Sequence, residues 1–99
     1  MSVPGGCSDE RPATPEDQDV ANQVRGQYET QSGTQTSEFT VMKVKTKVVA
    51  GTIYLLKVYI GNGLYVHLHV FVPLPGTNEG PKLESYEDNK NENDKLGDC

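Results

Sequence analysis

The chain has 99 residues, 34% of them hydrophobic, which is enough for one domain around one core. Its net charge of −5 removes the usual electrostatic basis for nucleic-acid binding. The apolar stretches are strand-length, too short to span a membrane, and Met1-Ser2-Val3-Pro4-Gly5-Gly6 has neither the basic region nor the apolar region of a secretory leader.

In chain order, residues 1–12 read as an extended arm, because Pro4, Gly5, Gly6 and Pro12 all oppose helix. Helix signals then arrive together. Thr14 suits the N-cap, Pro15 the first helical position, and Glu16 with Asp17 place negative charge in the first turn. Thr14 and Asp17 also have capping-box spacing. Val20, Ala21, Val24 and Tyr28 form a narrow apolar stripe, read as core packing, and Ser32-Gly33 closes the helix. Gly26 inside it costs about 1 kcal/mol relative to alanine.

Four strands follow in the pattern. The first, Glu38 to Val48, changes phase from Phe39 and Val41 to Met42 and Val44, which predicts a bulge. In the second, Tyr54, Leu56, Val58 and Ile60 share the inward face; in the third, Leu64, Val66, Leu68 and Val70 do. Gly61-Asn62-Gly63 makes the tight turn between them. Lys57, Tyr59, Tyr65, His67, His69 and Phe71 are expected to point outward. The last strand runs from Lys82 to Glu87, anchored by Leu83 and Tyr86, and residues 88–99 read as a polar, solvated tail. One helix covering one face of an antiparallel sheet is an α+β arrangement in a single domain of residues 1–99.

Between the first two strands lies the most unusual segment, Lys47-Val48-Val49-Ala50-Gly51. A tip facing water normally carries Asn, Asp or Gly with charges. Two valines and an alanine there suggest a surface meant to enter a partner's groove. The alternative is one long buried strand with a bulge at Gly51. Leu74-Pro75-Gly76 is a second apolar, small-residue tip, and up-and-down connectivity places it at the same end of the sheet as the first.

These segments carry a resemblance. Pro4-Gly5-Gly6 before Pro12-Ala13-Thr14-Pro15-Glu16, the Val48-Val49-Ala50-Gly51 turn, and Val66-His67-Leu68-His69-Val70-Phe71 leading to Leu74-Pro75-Gly76 and Tyr86 occur in one order over nearly the whole chain. In this the sequence resembles the stefins, the single-domain intracellular cystatins that inhibit papain-like cysteine proteases. The resemblance implies a strongly curved sheet wrapped around the helix. It also brings the arm to the same end as the two tips, a step the pattern alone does not supply.

The three segments then form a wedge for the active-site cleft of a papain-like protease such as a lysosomal cathepsin. The resemblance assigns the arm around Gly5 to the non-primed subsites, and by it Val48, Val49, Ala50 and Gly51 would cover the cleft centre while Leu74, Pro75 and Gly76 would brace the primed side. Lys47 joins this set as a departure, since the family usually has glutamine there. Inhibition is then reversible, tight and non-covalent, with the chain a cytoplasmic monomer and a domain-swapped dimer as a second state.

Catalytic signals are weak. There is no nucleophile elbow and no phosphate-cradling loop. His67 and His69 share one strand face but have no carboxylate or cysteine at a neighbouring i±2 position, so no metal, cofactor or enzymatic activity is expected. Cys7 and Cys99 lie in the two tails without zinc spacing. They read as free thiols of a reduced protein, a tail-to-tail disulfide being the alternative. The competing functional reading is a cystatin-fold interaction protein that has lost inhibition.

Overall fold

In the computed structural model, which describes residues 7–97, the helix begins where the capping residues predict. Helix α1 spans Pro15–Ser32. The Thr14 hydroxyl accepts from the Asp17 amide, and the Asp17 carboxylate accepts from the Thr14 amide at 2.8 Å, which closes the capping box. Asp17 also takes two contacts from the Arg11 guanidinium, at 2.6 and 3.1 Å. Burial pushes this carboxyl up, but Arg11 and the two Thr14 donors outweigh burial and hold it below the usual carboxylate range. The helix runs unbroken through Gly26 and ends at Gly33, whose φ of 72° is the left-handed cap that glycine adopts without penalty.

Five strands follow one another across a single antiparallel sheet: β1 (Arg11–Pro12), β2 (Thr40–Val49), β3 (Gly51–Gly61), β4 (Leu64–Val72) and β5 (Lys82–Lys90). The two-residue β1 adds to the four expected strands, and β5 runs three residues past Glu87. Helix α1 lays Val20, Ala21, Val24 and Tyr28 on the inner face, against Phe39, Val41, Val44, Leu56, Val58, Val66, Leu68, Val70 and Leu83. Tyr28 sits edge-on to Tyr86 at 5.2 Å, and its hydroxyl donates to Asp88 at 2.6 Å. Burial and then Asp88 push that phenol's pKa upward.

Three expectations change. The bulge falls between Val41 and Lys43, but Met42 is the residue it turns outward, so Val41 and Val44 are buried and Met42 is 43% exposed. Leu64 is 46% exposed rather than inward, because it opens β4 directly after the Asn62-Gly63 turn, at the end of the sheet. On the outward face, Leu55, Lys57 and His67 are buried.

The C-terminal residues cause that burial by crossing the outer face. Lys57 Nζ donates to the Glu92 carbonyl at 2.9 Å, and Leu96, 4% exposed, lands beside Leu55, His67 and His69. The tail is therefore packed up to Leu96 instead of wholly solvated. The thiol reading also changes: Cys7 is disulfide-bonded, and no described cysteine is free. Cys99 lies outside the described residues.

Candidate functional site

The first hairpin is tighter than its sequence suggests. Strands β2 and β3 stay paired up to Val49 and Gly51, so the reversal is concentrated at Ala50. Lys47, Val48 and Val49 remain in a strand, the conformation their β-branching favours. Gly51 takes the unusual backbone, with φ 123°. A Cβ there would stand 2.6 Å from the Val72 carbonyl oxygen and 2.9 Å from two carbons of the Phe71 ring, so glycine is required by conformation and by space. At the tip Val48 is 83% and Val49 39% exposed. The long-buried-strand alternative is thereby removed.

Pairing of Thr52 with Val72 sets the end of β4 beside the start of β3. The segment Leu74-Pro75-Gly76 leaves from that same end, with Leu74 53% exposed. Gly76 takes φ 94°, and the Leu74 carbonyl accepts from the Thr77 hydroxyl at 3.1 Å, which holds the turn.

The arm reaches this end through backbone pairing. Arg11 lies opposite Val44, the Ser8 amide donates to the Thr46 carbonyl at 2.7 Å, and the Thr46 amide donates to the Ser8 hydroxyl at 3.0 Å. Traced back from Arg11, the arm climbs along β2 toward the tip. Gly5 lies outside the described residues. Lys47 pairs with Ile53, is partly exposed, and has no hydrogen-bond or ion-pair partner among the described residues.

Exposed apolar side chains from two turns and the root of the arm thus meet at one end of the sheet. Exposed apolar side chains gathered in this way mark an interaction surface. Sequence reading missed Phe71, whose ring backs the hairpin. The available signal was an apolar residue at an outward position just before Pro73-Leu74-Pro75.

The histidines lie elsewhere, on the outer face. His67 and His69 line a cavity of about 120 Å³ with Leu55, Ser85, Glu87 and Leu96. His67 Nε2 is buried there without a hydrogen-bond partner among the described residues. Burial, then the Lys57 and Lys90 charges, lower the His67 pKa against the opposing pull of Glu87 and Asp94. Among the described residues no three His, Cys, Asp or Glu side chains are grouped to hold a metal ion, and no helix is long and apolar enough to cross a membrane.

A cystatin domain profile matches residues 5–93. This chain belongs to the cystatin family. It is 43% identical over 94 residues to cystatin-A of Homo sapiens, covering 95% of this chain and 96% of that protein. It is 40% identical over 92 residues to leukocyte cysteine proteinase inhibitor 1 of Sus scrofa, covering 93% of this chain and 89% of that protein. The fold matches a secreted type 1 cystatin from Fasciola hepatica with TM-score 0.72 and 30% identity, over 85% of this chain and 95% of that one. These likenesses place this cystatin among the stefins, and its α+β fold of one helix on a five-stranded antiparallel sheet is that of the family.

Proposed function

We propose that this stefin is a reversible, tight-binding, non-covalent inhibitor of papain-like cysteine proteases, lysosomal cathepsins among them, and has no enzymatic activity of its own. The observation that carries the reading is the convergence of Val48, Val49 and Leu74, all exposed, with the arm root at Ser8 on one end of the sheet. Val48 to Gly51 would fill the cleft centre, Leu74, Pro75 and Gly76 one side, and the arm through Gly5 the other. Paired strands hold the first tip up to Val49 and Gly51, and the Thr77 hydroxyl holds the second through the Leu74 carbonyl, so little conformational entropy is lost on association. No peptide bond need be offered to the protease cysteine, and the inhibitor leaves intact. Lys47, an ammonium near the hairpin tip with no ion-pair partner among the described residues, would favour proteases with an acidic cleft rim.

Location divides on two observations. The stefin resemblance implies the cytoplasm, whereas a disulfide at Cys7 persists best in an oxidising compartment. Blocking thiols in intact cells before lysis distinguishes the two.

Titration of active-site-counted papain tests the function. A linear loss of activity reaching zero at one inhibitor per enzyme, recovered on dilution, is expected. Unchanged activity at micromolar inhibitor would leave a cystatin fold that serves assembly instead.

A further inference from the structure

The tail and the arm meet away from the wedge, at Leu96. A turn redirects the chain after β5: the Asn91 amide donates to the Asp94 carboxylate at 2.9 Å, and the Asp94 amide to the Asn91 carbonyl at 3.1 Å. From there the tail crosses the outer face. Leu96 is buried while its neighbours Lys95 and Gly97 are exposed, so it acts as a single pin. Its side chain closes the cavity over Leu55, His67 and His69. On the other side it shares a groove with Asp9 and Glu10 of the arm and with Lys45 of β2. Its amide donates to the Glu10 carboxylate at 3.4 Å, and Lys45 Nζ donates to the Gly97 carbonyl at 3.4 Å. Leu96 and Gly97 therefore link the tail to the arm at Glu10 and to β2 at Lys45, and share a cavity with Leu55 of β3 and with His67 and His69 of β4.

We propose that the C-terminal tail braces the N-terminal arm, with Leu96 as a positioning residue that sets how long a bound protease is retained. The inference rests on the inhibitor reading above and adds a second segment to it. An arm held at Ser8 by hydrogen bonds to Thr46 alone would fray, since a terminal segment loses much backbone freedom when it is ordered. The pinned tail limits that freedom before the protease arrives, so less entropy is lost in the complex. The Cys7 disulfide, next to Ser8, adds a covalent restraint at the same place.

The test compares the parent with Leu96→Ala, Leu96→Met and Glu10→Ala, with Cys7 reduced so that only non-covalent contacts hold the arm. Amide hydrogen exchange at Ser8 reads the brace without any protease. Leu96→Ala and Glu10→Ala should each speed it by about tenfold while the Val44 and Leu56 amides keep their protection. Leu96→Met should restore the parent rate. Dissociation from papain should accelerate about tenfold in the same two variants. That acceleration should vanish in a Ser8→Pro background, where the arm has already lost its donor to Thr46. Unchanged Ser8 exchange in Glu10→Ala, whose substitution leaves the core untouched, overturns the proposal even where Leu96→Ala unfolds. An undiminished effect on dissociation in the Ser8→Pro background also overturns it. Should the parent fail to inhibit papain, the inhibitor reading falls and Ser8 exchange alone decides the brace.

Discussion

Val49 is 39% exposed beside the reversal at Ala50, and on the proposed inhibitor reading it is the residue on which binding should depend most. In Val49→Asp a complex would bury an unpaired carboxylate, costing several kcal/mol while it stays charged. The inhibition constant against papain should rise by at least about a hundredfold with no change in thermal midpoint. Equal constants would remove the hairpin from the interface. His67 yields a different prediction. Its pKa is lowered in the folded chain by burial first and then by Lys57 and Lys90, so the unfolded chain binds the proton more readily. Stability is thus fully present above the ordinary value of 6.5 and declines as pH falls below it toward the lowered folded value. Urea midpoints measured between pH 8 and 5 should show the decline in the parent and lose most of it in His67→Gln. An equal slope in both proteins would assign the effect to other groups.

Among the elements, the arm and the helix start serve separate ends although only five residues lie between Arg11 and Asp17. Arg11, Thr14 and Asp17 lock the beginning of α1, whereas the sequence Met1-Ser2-Val3-Pro4-Gly5 carries no periodic apolar pattern of a core segment. Removing residues 1–5 should therefore leave the thermal midpoint within about 2 °C, the shift of a small fraction of a kcal/mol. Dissociation from papain should accelerate, and most for open-cleft endopeptidases that the whole arm can occupy. A truncated chain that unfolds, or that dissociates from every protease at the parent rate, would contradict this division. The hairpin is a composite in the same sense. Its valines lie in ordinary strand, and the demand for an uncommon backbone is placed on Gly51, between Ala50 and the Phe71 ring.

For the whole molecule, the Ala50-Gly51 reversal is the place where β2 and β3 could become one continuous strand. The freed α1 and β2 would then pack on a second copy, as a domain-swapped dimer without its central wedge. Gly51→Ala discriminates between the two states. Its methyl group would meet the Val72 carbonyl and the Phe71 ring only where the hairpin is closed at φ 123°. Brief heating below the midpoint, with reductant present, should give more dimer from Gly51→Ala than from the parent on size exclusion. The dimer peak should fail to inhibit papain. A fully inhibitory non-covalent dimer, or no dimer from either chain near the midpoint, would refute the swap.

Much of this arrangement is written locally. Thr14, Pro15 and Asp17 start the helix and Gly33 ends it through bonds within a few residues, and the alternation in β3 and β4 marks Leu56, Val58, Val66, Leu68 and Val70 as the face against the helix. The exposed apolar tip was legible because Val48 and Val49 violate what a solvated turn requires. Tertiary structure decided what depends on residues far apart. Pairing of Arg11 with Val44 carries the chain at Ser8 along β2 toward the hairpin tip, and the Val72 carbonyl with the Phe71 ring explains why Gly51 tolerates no side chain. The crossing tail buries Lys57 and His67 on a face whose alternation reads as solvent-exposed. Alternation tells which side chains share a face, but whether another segment covers that face depends on contacts 30 to 90 residues apart, such as Lys57 with Glu92 and Glu10 with Leu96.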